Sequence, residues 1–254
     1  MNLLESMIVA FSMYSKIPMP QIQWNKKNMR FALCFFPVVG LAVGAFVFLW
    51  GTVSELLPFG TAFRTAVFLM IPVLITGGIH LDGLLDTADA LSSWQTKERR
   101  LEILKDSHAG AFAIIVCCAY FVFSFGIWSE VRQEALGVLA VGFVLSRALS
   151  GFGIASFQCA KNSGLAAAFA DGADKKKCRV VLVIETAAAV ALMIRMNFFL
   201  GICAAASALL VFAACRKLSY SRFGGITGDT QGFFLQICEM VMALAVIIGD
   251  HIWF

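Results

Sequence analysis

The sequence predicts an all-α, polytopic integral membrane helix bundle, with about seven transmembrane helices and a cytoplasmic N-terminus. Three observations predict it. Hydrophobic residues make up 60% of the chain and charged residues only 14%, with a mean hydropathy of +0.83, whereas a soluble domain carries about a quarter charged residues. The apolar residues gather into long runs broken by short charged stretches, and a helix needs roughly 20 mainly apolar residues to cross a bilayer. The basic residues fall on alternate loops, as the positive-inside rule requires. No long polar linker interrupts the runs, so residues 1–254 read as a single membrane-embedded domain.

The first apolar stretch, Leu3 to Tyr14, is too short to span and lies in the interface or re-enters. Spans follow at Phe31–Trp50, Thr61–Gly78, Ala111–Trp128, Leu136–Phe157, Val180–Arg195, Phe198–Ala214 and Phe233–Ile252. Six or eight spans would also satisfy the pattern, because only Arg195, Met196 and Asn197 divide the fifth run from the sixth. Lys16, Lys26, Lys27 and Arg30 precede the first span. Lys97, Arg99, Arg100 and Lys105 occupy the loop after the second, and Lys161, Lys175, Lys176, Lys177 and Arg179 the loop after the fourth. Arg216, Lys217 and Arg222 follow the sixth. The opposite side has only Arg64, Arg132 and Arg195, with Arg147 inside a span. This asymmetry places the N-terminus and the long loops in the cytoplasm.

The net charge of +4 carries no nucleic-acid reading, since orientation and anionic lipid account for basic loops. The eight cysteines include no CxxC pair, and Cys34, Cys117, Cys118, Cys203 and Cys238 lie in apolar runs, as buried free thiols do. Glu5 interrupts the N-terminal apolar stretch and no small-residue cleavage site precedes Lys16, so no cleaved signal peptide is expected.

The sharpest chemical signal runs from Thr76 to Leu91. On a helix, at about 100° per residue, Asp82, Asp86 and Asp89 share a face within about 60° of arc. Like charges stacked in this way repel one another, and ionisable groups beside lipid point to function. A bound cation would relieve the repulsion. Hard oxygen donors without a Cys or His cage suit Mg²⁺, which takes one or two carboxylates together with substrate phosphates.

Two further segments fall on the same side. Residues Arg100 to Gly110 contain Asp106 and Ser107 just before an apolar run, where they cap a helix. Asp106 could also complete the metal site, with Lys105, Ser107 and the first amides of the next span meeting phosphate. His108 suits acid–base work or a phosphate contact. Residues Arg222 to Gly232 hold four glycines, which allow unusual backbone angles and close approach to a ligand. In that segment Thr227, Gly228 and Asp229 offer oxygen and backbone groups, and Arg222 a phosphate partner. Arg147 needs an ion pair or a bound anion to sit inside a span.

At these residues the chain resembles the cobalamin synthase family, the adenosylcobinamide-GDP ribazoletransferases. The resemblance covers Ser15-Lys-Ile-Pro-Met-Pro, Phe36-Pro-Val-Val-Gly, the acidic segment from Gly77 to Asp89, Arg100 to Ser107, Gly164-Leu-Ala-Ala-Ala-Phe and Gly224-Gly-Ile-Thr-Gly-Asp, all in family order. The sequence departs from that pattern at His108, where Arg is common, at Ala90, where Gly is usual, and at Phe233, where a small residue is typical.

The resemblance implies a Mg²⁺-dependent transferase of the bacterial cytoplasmic (inner) membrane, with its active site facing the cytoplasm. Its substrates would be a corrinoid nucleotide, adenosylcobinamide-GDP, and α-ribazole or its 5′-phosphate. GMP would leave, and adenosylcobalamin or its phosphate would form. Asp82, Asp86 and Asp89 would bind metal, with Asp106 and Asp229 as further carboxylates, and Lys105, Arg147 and Arg222 would contact phosphate. A homo-oligomer, or association with other cobalamin-assembly enzymes, is compatible with this reading. Two other readings compete. A CDP-alcohol phosphotransferase would share the acidic helix, but its Arg and spaced glycine are missing here. A cation-coupled transporter would place its carboxylates near the bilayer midplane.

Overall fold

The computed structural model describes residues 3–106, 108–161 and 164–253. These form twelve α-helices and one short 3₁₀ turn at Ala32–Phe35. In chain order the helices are α1 (Leu3–Tyr14), α2 (Lys26–Met29), α3 (Phe36–Ser54), α4 (Thr61–Thr76), α5 (Ile79–Ser92) and α6 (Lys97–Ile103). Then come α7 (Ala111–Ser129), α8 (Gln133–Ser156), α9 (Leu165–Gly172), α10 (Lys175–Met196), α11 (Phe198–Phe223) and α12 (Gly228–Trp253). All eight cysteines are free thiols.

Among the described residues, five helical segments are long and apolar enough to cross a membrane: Ala32–Ser54, α7, α8, α11 and α12 up to Ile252. Helices α4 and α5 would add a sixth if taken together, but the chain bends by 95° between them. The fifth expected span, Val180–Arg195, lies in the 22-residue α10. Lys177, Arg179, Glu185 and Arg195 break up its apolar stretch, so it does not reach the same standard.

The bend after α4 has a local cause. Gly77 and Gly78 both adopt left-handed backbone angles, with φ of 65° and 79°, and such a pair is inexpensive only in glycine. The N-terminal arm fastens the bend, because Lys16 N donates to Ile75 O at 2.7 Å. Helix α5 then runs on for 14 residues, about 21 Å at 1.5 Å per residue. That is short of the roughly 30 Å hydrocarbon layer, and its three carboxylates oppose insertion.

Helix α8 is the packing centre, in contact with α3, α10, α11 and α12. Gly40 and Gly44, one turn apart on α3, let the two backbones touch. A Cβ at either position would lie 2.2 Å from a carbonyl oxygen of α8, that of Phe143 or Ala140. Helices in lipid gain their association energy from such close backbone approach.

Arg147 on α8 is fully buried, and its guanidinium meets the Glu239 carboxylate of α12 at 2.8 Å. Ser146 Oγ donates to the same carboxylate oxygen at 2.8 Å, and Arg147 also donates to Phe143 O at 3.0 Å. Of the two roles open to Arg147 in the sequence, the ion pair inside the bundle is present. Removing one partner of a buried pair leaves an uncompensated charge, at a cost of about 3–5 kcal/mol. Arg147→Met and Glu239→Met should therefore each lower the melting temperature sharply in lipid nanodiscs. The double variant should recover most of the loss, and additive losses would show that the pair is not coupled.

A candidate active site at the crossing of α5 and α12

The acidic helix forms as the spacing of its carboxylates predicts. On α5, Asp82 is exposed, Asp86 and Asp89 are half-buried, and His80, Gly83, Leu84, Thr87 and Ala88 turn inward. Gly83 sits against α12 so closely that a Cβ there would come within 2.8 Å of Asp229 O and 3.1 Å of Gly232 Cα. A Cβ on Gly232 would in turn lie 3.0 Å from His80 O. Two residues without side chains thus let the helices cross in backbone contact, and the crossing carries Asp229 to the three α5 carboxylates.

The electrostatics register this meeting. Partial burial, then the charges of Asp82, Asp229 and Asp89, push the Asp86 carboxyl up to about 7. Asp89 is placed differently. Its carboxylate packs against Gly110, where a Cβ would fall 2.2 Å from one carboxylate oxygen. Gly110 caps the start of α7, and the free amides of a helix start favour a negative charge.

The turn before α12 is locked by a reciprocal cap. Thr230 N donates to Thr227 Oγ1 at 3.1 Å, and Thr227 N donates to Thr230 Oγ1 at 2.8 Å, so two otherwise unpaired amides are satisfied. Thr227 Oγ1 lies 3.4 Å from Asp229 Oδ2. A single parallel bridge ties this turn to the segment after α8, with Ala160 N donating to Ile226 O at 2.8 Å and Ile226 N to Gln158 O at 2.9 Å.

That bridge builds the wall of a cavity of about 320 Å³, lined by Lys105, Lys161, Thr227, Gly228 and Asp229 among others. Lys161 Nζ donates to Leu101 O. Burial, with the neighbouring Lys105 charge, lowers the Lys161 ammonium. A second cavity, of about 130 Å³, lies on the other side of the same turn and shares Ala166, Gly228 and Asp229 with the first. Asp82, Tyr14, Phe36 and His80 also line it.

The residues singled out in the sequence are thus partly gathered. Asp82, Asp86, Asp89 and Asp229 form one group, and Lys105, Thr227 and Gly228 line the adjoining cavity. Asp106 and His108 stand exposed and engage each other, with His108 N 3.0 Å and its Nδ1 2.8 Å from Asp106 Oδ1. These hydrogen bonds hold the Asp106 carboxyl below its usual range. Ser107 lies outside the described residues. Arg222 is exposed and lines neither cavity, but its carbonyl accepts from Arg100 at 3.4 Å. Lys161 was not singled out in the sequence. It is one lysine of a basic loop, and only the bridge through Ile226 distinguishes it from its neighbours. Among the described residues, no three His, Cys, Asp or Glu side chains form a ready-made metal cage. The carboxylates on offer are hard oxygen donors of the kind that Mg²⁺ shares with water and phosphate.

The fold defines a polytopic helical membrane protein, and a carboxylate group beside a lysine-walled cavity is the equipment of phosphoryl chemistry. Comparison with known proteins makes the class specific. The family model described as "Cobalamin-5-phosphate synthase" matches residues 6–247. An adenosylcobinamide-GDP ribazoletransferase of Lachnoclostridium phytofermentans is 45% identical over 99% of this chain and 97% of its own length. Relatives of the same name from Clostridium botulinum and Listeria monocytogenes serotype 4b are each 31% identical. They cover 94% and 96% of this chain, and 96% and 98% of their own lengths. No solved structure matches. The chain belongs to the cobalamin-5-phosphate synthase family.

The Asp86 carboxyl supplies a test that needs no substrate. Its folded value of about 7 exceeds the ordinary 3.8, so its contribution to stability is complete below about pH 4 and is lost as the pH rises through 7. In a chelator, the melting temperature should rise as the pH is lowered from 8 to 6, and Asp86→Asn should flatten that slope. An unchanged slope in the variant would remove Asp86 as its source.

Proposed function

We propose that the protein is an adenosylcobinamide-GDP ribazoletransferase of the bacterial cytoplasmic membrane, with its site on the cytoplasmic face. The observation that carries this reading is the position of Asp229, which joins the carboxylate group of α5 on one side and walls the lysine-lined cavity on the other. A reaction at a pyrophosphate needs both features. The name shared by relatives of nearly equal length agrees with it. Lys105 and Lys161 lie in loops that the positive-inside rule assigns to the cytoplasm.

A ribose hydroxyl of α-ribazole, or of its 5′-phosphate, attacks the corrinoid-linked phosphorus of adenosylcobinamide-GDP. The new P–O bond forms as the bond to the GMP oxygen breaks. GMP leaves with that oxygen, and the hydroxyl proton passes to a carboxylate of the site. Lys105 and Lys161 hold the guanosine-linked phosphate and offset the charge that grows on it. Thr227 and Gly228 shape the turn against which the pyrophosphate rests.

Asp82, Asp86 and Asp89, with Asp229, would hold Mg²⁺. Four carboxylates that repel one another when metal-free, three of them adding to the burial that raises Asp86 to about 7, are a donor set a divalent cation would stabilise. Bound there, Mg²⁺ would neutralise charge on the transferring phosphoryl group. Asp106, paired with His108 at the surface in the segment between α6 and α7, would serve as an outer carboxylate.

Purified protein in nanodiscs, given adenosylcobinamide-GDP and α-ribazole, should release GMP with Mg²⁺ present and stop releasing it with a chelator. Asp86→Ala should lower kcat by about 10²–10³-fold, the loss typical of removing one transition-state contact, while the bundle stays folded. No GMP from folded wild-type protein with intact substrates would overturn the assignment. Full activity in Asp86→Ala would place the metal elsewhere.

A further inference from the structure

The smaller cavity has a character that the phosphoryl chemistry does not use. Helices α1, α3, α5, α8, α9 and α12 enclose it, and it is lined on one side by the rings of Tyr14, Phe36 and His80. The Tyr14 and Phe36 ring centroids are 4.1 Å apart, and Tyr14 stacks over His80 at 6.1 Å. Ile154 and Leu235 add apolar walls. Its volume of about 130 Å³, set against the roughly 150 Å³ that takes up one benzene ring, admits one ring of a flat bicyclic ligand.

Two polar side chains of this cavity pair with each other. Ser150 Oγ donates to Gln231 Oε1 at 3.0 Å. His80 is 4% exposed, and its Nε2 is the one buried side-chain nitrogen or oxygen of the lining that lacks a hydrogen-bond partner among the described residues. A buried polar atom left in that state costs free energy that a ligand can return. At the other side of the same cavity stand Asp82 and Asp229, two members of the carboxylate group.

We propose that this cavity receives the flat aromatic base of the ribazole nucleoside, with His80 Nε2 hydrogen-bonded to its unsubstituted ring nitrogen. This inference rests on the function proposed above and says where one of the two substrates is held. A benzimidazole-type base is planar and apolar, with a single ring nitrogen free to pair. Guanine, the base of the other substrate, carries several donors and acceptors on its edges, and here most would be buried unpaired. With the base laid against this wall of rings, the ribose emerges beside Asp82 and Asp229. Its hydroxyls then face the carboxylates, and the lysine-lined cavity lies across the Gly228–Asp229 turn. The two cavities thereby divide the substrates, nucleoside on one side and pyrophosphate on the other.

Photolabelling of the full-length protein in nanodiscs tests the placement without turnover. The probe is a benzimidazole riboside carrying a diazirine on its six-membered ring, with the labelled residues mapped by mass spectrometry. Label should appear on Tyr14, Phe36, Ile154 or Leu235, and should be suppressed by α-ribazole but not by GMP. Label confined to the lysine-lined cavity, suppression by GMP alone, or no label above that of heat-denatured protein would overturn the proposal.

His80→Phe supplies a second readout, since it keeps a ring against Tyr14 and Phe36 but removes the nitrogen. The KM for α-ribazole should rise about tenfold, as loss of one good hydrogen bond gives, while the KM for adenosylcobinamide-GDP stays within about twofold. Equal rises in both would reduce His80 to a structural role. GMP release by the wild type is scored separately, so an active enzyme with an unlabelled cavity refutes the base pocket alone.

Discussion

Glycine at 83 and at 232 removes the two side chains that would hold α5 and α12 apart, and the backbones meet at van der Waals distance. The site depends on this contact. It brings the carboxylate of Asp229 to three carboxylates that the sequence had already stacked on one face of α5. It also sets the Gly228–Asp229 turn between the two cavities, so that one acidic group borders both. The repulsion among those charges is a cost to the folded chain. A divalent cation is the ligand that would turn it into binding energy.

Two other contacts hold the crossing in place. The left-handed pair Gly77–Gly78 turns α5 away from α4, and the N-terminal arm closes over that turn through Lys16. Arg147 and Glu239 join α8 to α12 below the site. Because α8 is also packed backbone to backbone on α3 at Gly40 and Gly44, the start of α12 is tied to the centre of the bundle. A site on such supports can hold opposed charges without yielding to them.

Much of this was legible in the residues. Apolar runs and loop charges gave the helical bundle, and helical phase gave the acidic face. The span count was less so, because Lys177, Arg179, Glu185 and Arg195 leave α10 between a membrane helix and a polar one. The glycines of the segment before α12 suggested close approach to a ligand. In the fold, Gly225 and Gly232 approach the chain itself, at Gln158 O and His80 O, and only Gly224 of that segment has a positive φ. Lys161 could not be found from sequence, since its place follows from one bridge between segments distant along the chain. Asp106 and His108 read as a metal-completing carboxylate and an acid–base or phosphate-contact group, and their pairing with each other in solvent was not legible from the spacing. Spacing along one helix reports a shared face well. It reports nothing of what another helix will bring to that face.

Helix α12 completes the acidic group of α5. Electron paramagnetic resonance of Mn²⁺ added to the protein in nanodiscs measures this directly, by comparing wild type with Asp229→Asn. One tight Mn²⁺ site is expected in the wild type, weakened at least about tenfold in the variant. Unchanged Mn²⁺ affinity in a folded Asp229→Asn protein would contradict it and leave the α5 carboxylates to act alone.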